Sequence, residues 1–121
     1  AFTYNKQKIV MPDTGGWLSK HFHQGAFYEG HMLYAIAALE QSGIYIDVGA
    51  NIGNHSVFFE MFCPSTKVIA FEPMPESYEE LKKTVEKAVE KTKNKTEKTI
   101  EQIKKNIKEK YEILQTFNKT K

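Results

Sequence analysis

From Ile44 the chain runs Ile-Tyr-Ile-Asp-Val-Gly-Ala-Asn-Ile-Gly-Asn-His-Ser, and after an apolar stretch it returns as Val-Ile-Ala-Phe-Glu-Pro, ending at Pro73. Ile44, Ile46 and Val48 have the alternation and β-branching of a core strand. Gly49 and Gly53 frame the turn that follows; without Cβ atoms they tolerate a sharp reversal and let a ligand approach the backbone closely. Asn54 to about Phe62 reads as a helix, Cys63-Pro64-Ser65 as a breaker, and Val68 to Phe71 as a second strand. Strand, helix and strand in that order make a parallel crossover unit that helices must cover. Glu72 ends the second strand 19 residues after Gly53. An open α/β sheet places there the carboxylate that accepts hydrogen bonds from ribose hydroxyls. Turn and acid together imply a nucleoside-type cofactor.

The glycine spacing selects among such cofactors. Dinucleotide sites use Gly-x-Gly-x-x-Gly to bring a helix N-terminus onto a pyrophosphate. Here the glycines are four apart, with Asn51 between them, and the dinucleotide reading weakens. Asp47-Val48-Gly49-Ala50-Asn51-Ile52-Gly53-Asn54-His55 followed by Phe71-Glu72-Pro73 closely resembles the S-adenosylmethionine signature of the FkbM family of methyltransferases. The resemblance extends upstream to Phe27-Tyr28-Glu29 and downstream to Glu76-Ser77-Tyr78-Glu79-Glu80-Leu81, roughly residues 25 to 85. It implies a Rossmann-like α/β core and an S-adenosylmethionine-dependent O-methyltransferase whose acceptor is a small-molecule or sugar (glycan) hydroxyl. Carried over residue by residue, it implies cofactor contacts at Asp47, Gly49, Ala50, Asn51, Gly53, Asn54 and Glu72, with Tyr28 and Glu29 near the cofactor's amino group.

The same residues have plainer readings. Asn51 and Asn54 can cap the helix start, and Asp47 reads as a buried acid that orders the amides of the turn. Displacement at a sulfonium needs alignment more than a nucleophile, so the catalytic residue stays unassigned. His55 as a base for the acceptor hydroxyl is the weaker reading beside packing or capping. His21 and His23 have no third ligand at a suitable spacing, and Cys63 reads as a core thiol.

The charge divides unevenly along the 121 residues. Residues 1–81 hold 4 lysines against 9 acids, a net of −5, whereas residues 82–121 hold 13 lysines against 6 glutamates, a net of +7. All 17 basic residues are lysine, which removes bidentate guanidinium recognition and disfavours sequence-specific nucleic-acid reading. We therefore expect residues 1–81 to be the N-terminal part of a methyltransferase domain and 82–121 a lysine-rich, low-complexity helical tail. Its seam steps through Val85, Val89, Thr92, Thr96, Ile100, Ile103, Ile107, Tyr111, Leu114 and Phe117, with Ile100 to Phe117 the stronger helix. No further strand is expected after Glu72, although a complete sheet of this kind needs on the order of 200 residues.

Upstream, Tyr4, Ile9, Val10 and Met11 predict one short edge strand ending at Pro12-Asp13, and Gln24 to Gln41 predict a helix with Gly30 inside it. A single cysteine, no leader and no apolar run near 20 residues predict a soluble, cytoplasmic chain with no membrane span. The alternative is a catalytically incomplete remnant whose basic helix serves interaction, including helix-mediated self-association.

Overall fold

The computed structural model describes residues 1–93 and 111–114, and the seam positions Thr96, Ile100, Ile103, Ile107 and Phe117 lie outside them. The chain opens with a hairpin, β1 (Phe2–Tyr4) against β2 (Gln7–Ile9), antiparallel, with Phe2 opposite Ile9. Asn5 and Lys6 form its two-residue turn at φ 46° and 63°, the mirror-image geometry whose twist matches that of paired strands. One strand was expected here and two form. Asn5 favours such a turn, but the following lysine lacks the glycine that usually announces it.

Two short helices follow, α1 (Trp17–His23), where no helix was expected, and α2 (Gly30–Ala38), which lies within the helix expected over Gln24–Gln41 and is shorter at both ends. Leu18 and Phe22 lie four apart and are buried on one face of α1. Gly25, at φ 77°, carries the chain out of that helix. Gly30 therefore begins α2 instead of interrupting it.

The core unit is β3 (Gly43–Val48), α3 (Asn54–Phe62) and β4 (Ser65–Phe71), with β3 and β4 parallel and Ile46 opposite Ile69. The Ser65 hydroxyl donates to the Phe59 carbonyl (2.7 Å), satisfying a carbonyl of the last turn of α3. Phe58 is fully buried, and Val57, Phe59 and Val68 join Phe2, Phe22, Phe27 and Leu33 in one apolar cluster. Aromatic edges meet faces at several points in this cluster, as in Phe27 against Phe58 at 5.3 Å between centroids, while Phe2 stacks parallel on Phe22. Cys63 is buried there, and burial pushes its thiol above its ordinary range, as it does the nearby Tyr45 hydroxyl.

α4 (Pro75–Lys93) and β5 (Tyr111–Leu114) complete the described chain. The parallel sheet has the order β3-β4-β5, with Ala70 opposite Ile113, so a third strand forms where none was expected. Tyr111 and Leu114 had been placed on a helical seam. Their stretch, Tyr-Glu-Ile-Leu, also alternates, and pairing along β4 decides for the strand. The lysine-rich segment from residue 82 likewise does not begin as a solvated helix. Leu81, Thr84 and Val85, at helical neighbour spacing, are all buried.

The opposite face of the sheet is bare among the described residues. Ile44, Ile46 and Val48 are 61%, 58% and 79% exposed, although a parallel sheet ordinarily has both faces covered. Among the described residues no helix is long and apolar enough to cross a membrane.

Candidate functional site

The glycine turn sits at the C-terminal ends of β3 and β4, where parallel α/β sheets present their ligand crevices. The Gly49 and Ala50 amides both donate to the Phe71 carbonyl at 2.9 Å, stitching the start of the turn to the end of β4. Gly49 has φ 78° and a Cβ built on it would meet nothing within 4 Å, so one side of the turn is open. Asn51 is left-handed at φ 52°, a conformation asparagine tolerates better than most residues. The Gly53 amide closes the turn on the Ala50 carbonyl at 2.9 Å.

Gly53 serves a different purpose. Its φ is 100°, and a Cβ there would lie 3.0 Å from Leu81 Cδ1 and 3.4 Å from Thr84 Cγ2. The missing side chain lets α4 press against the turn, where sequence reasoning had assigned the space to a ligand. Thr84 strengthens this contact by donating its hydroxyl to the Ile52 carbonyl or to Glu80 within its own helix, each at 2.9 Å. Thr84 was missed in the sequence, and the Leu81-x-x-Thr84-Val85 spacing was the signal that could have found it.

Glu72 is brought under the turn as its spacing predicted. One carboxylate oxygen accepts from the Asn51 amide at 2.6 Å and the other from the Met74 amide at 2.9 Å, and the residue is only 5% exposed. A carboxylate has about four acceptor sites, so two stay free for further donors. Asp47 is buried as well and accepts the Ser56 hydroxyl at 2.7 Å, joining β3 to the first turn of α3. It orders the turn through a side chain and not through amides.

Asn54 departs most from its expected role. Its side chain accepts from the Tyr28 amide through Oδ1 and donates to the Tyr28 carbonyl through Nδ2, both at 3.0 Å, and it is buried. It does not cap α3, and one of its two donors and one acceptor lone pair are committed to Tyr28. Gly53 stands at the helix N-cap with no side-chain cap, so the first amides of α3 keep their donor capacity.

Glu29 follows the clamped Tyr28 in a left-handed backbone conformation, φ 56°, and begins α2. Its Oε1 lies 3.7 Å from His55 Nε2. Among the described residues that nitrogen is the buried side-chain polar atom with no hydrogen-bond partner. Tyr28 stacks parallel to the His55 ring at 6.3 Å, while Trp17 meets it edge to face at 4.4 Å. His21 completes that aromatic group, and His23 pairs elsewhere, donating to Asp13 at 2.9 Å. The His23 hydrogen bond, then the Gly15 amide, hold the Asp13 carboxyl below its ordinary range.

One curated protein, methyltransferase sdnD of Sordaria araneosa, is similar to the chain, 38% identical over 52 residues. The match covers 43% of this chain, which spans about a fifth (20%) of that protein's length. No protein-family profile matches the chain. No solved structure matches it either.

Proposed function

We propose that the chain binds S-adenosylmethionine at the Gly49–Gly53 turn and forms the cofactor-binding part of a methyltransferase. The observation that carries this reading is the meeting of turn and acid: the buried Glu72 carboxylate lies against the Asn51 amide with acceptor sites to spare. Two features support the fit of a nucleoside-bearing ligand. The turn is open beside Gly49, and α3 begins without a side-chain cap. The similarity to a named methyltransferase supports the reaction class, and the FkbM resemblance extends it to O-methylation of a small-molecule or sugar hydroxyl.

The cofactor supplies a methyl group already activated on a sulfonium. This chain's residues then have to bind and align. Glu72 would accept the ribose hydroxyls, and the open side of Gly49 would admit the ligand to the backbone. Asp47 keeps the turn in register through Ser56, so that these groups are in place before the ligand arrives. Glu29, beside the first turn of α3, supplies a carboxylate for the cofactor's amino group.

Amide shifts recorded on adding S-adenosylhomocysteine test the assignment. Shifts confined to residues 49–54, 72 and 28–29 are expected, with the β1–β2 hairpin unmoved. A response centred on the hairpin or on α1 would refute it.

A further inference from the structure

The Asn54 side chain commits one of its two N–H donors and one acceptor lone pair to the backbone of Tyr28, 26 residues upstream. The next residue, Glu29, holds a left-handed conformation that costs a non-glycine residue about 1–2 kcal/mol. Strain of this kind persists only where surrounding contacts over-determine the backbone. The two 3.0 Å bonds to Tyr28 are such contacts. Tyr28 is fixed a second time by its ring, which lies between Trp17 and His55. The outcome is a carboxylate and an unpartnered imidazole nitrogen set 3.7 Å apart beside the turn.

We propose that Asn54 is a positioning residue: it holds the Tyr28–Glu29 backbone against α3 and thereby presents the Glu29 carboxylate to the cofactor. This rests on the S-adenosylmethionine reading above. It moves Asn54 from contacting the ligand to acting through Glu29. A direct contact would have to reach the second Nδ2 hydrogen or the second Oδ1 lone pair of a side chain that is only 5% exposed and already tied to Tyr28 at both ends.

A double-mutant cycle read by titration calorimetry with S-adenosylhomocysteine distinguishes these roles. Asn54→Ala and Glu29→Gln should each weaken binding by about tenfold, the scale of one lost hydrogen bond to a charged group. The double variant should bind no more weakly than Glu29→Gln alone. A merely structural Asn54, or one that touches the ligand, would instead multiply the two losses, and that result overturns the proposal. So does unchanged affinity in Glu29→Gln. If Asn54→Ala fails to fold by circular dichroism, Asn54→Ser replaces it in the cycle, a neutral, shorter side chain that cannot hold the Tyr28 amide and carbonyl together. A parent chain that does not bind S-adenosylhomocysteine overturns the cofactor reading and the positioning role with it, whereas binding with independent losses overturns the positioning role alone.

Discussion

Glu72 holds the loop, accepting from the Asn51 and Met74 amides, and on the proposed reading the same carboxylate receives the ligand. Glu72→Ala would leave the Asn51 and Met74 amides without their acceptor and should cost about 1–3 kcal/mol of stability, read from urea unfolding. Unchanged stability would mean that the carboxylate does not order the turn. A second residue-scale expectation concerns Asp13, whose carboxyl is held low chiefly by His23. Its folded pKa lies below the unfolded value near 3.8, so its contribution to stability is present above that pH and is lost as pH falls through the folded value. His23→Ala should move the Asp13 titration upward in a carboxyl-detected NMR series, and an unmoved midpoint would contradict the pairing. Much at this scale was legible beforehand: the position of Glu72 followed from its distance to Gly53. The partners of Asn54 and Asp47 were not, because Tyr28 lies 26 residues from its amide and nothing local marks the contact.

At the scale of elements, the glycine turn is a joint between β3, α3 and α4, and its two glycines fail differently when replaced. Both hold positive φ, so either Gly→Ala change carries a conformational cost of about 1–2 kcal/mol. Only Gly53 has Leu81 at 3.0 Å from a built Cβ, which adds an overpacking cost of about 1–3 kcal/mol. Gly53→Ala should therefore unfold at lower urea than Gly49→Ala, and equal midpoints would remove α4 from the joint. The β3–α3–β4 unit was legible because strand alternation, glycine turn and breaker all agree locally. The hairpin, α1 and β5 were not. The hairpin turns at Asn5-Lys6 without the glycine that usually announces such a turn, and for Tyr111–Leu114 the lysine-rich surroundings favoured a helix until β4 supplied a partner.

For the molecule as a whole, the hairpin and helices α1 to α4 all contribute to one apolar cluster, while Ile44, Ile46 and Val48 are exposed. That asymmetry sets an expectation for stability. Val68→Ala, at a fully buried site, should cost about 2 kcal/mol from lost methyl burial and a cavity. Ile46→Thr, on the exposed face, should stay within about 0.5 kcal/mol of the parent, and a large loss there would show that this face is covered in solution. The charge division at residue 82 marked a change in composition and not in packing, since α4 continues through it with Thr84 and Val85 buried. What the whole arrangement does, on this account, is hold a turn and an acid together to receive an adenosyl cofactor. Titration calorimetry of S-adenosylhomocysteine into the parent chain and into Glu72→Gln is the most direct measurement of that claim. Saturable one-to-one binding by the parent, weakened about tenfold or more in Glu72→Gln, is the predicted result. No heat of binding in a folded parent, or equal affinity in the two proteins, would contradict it.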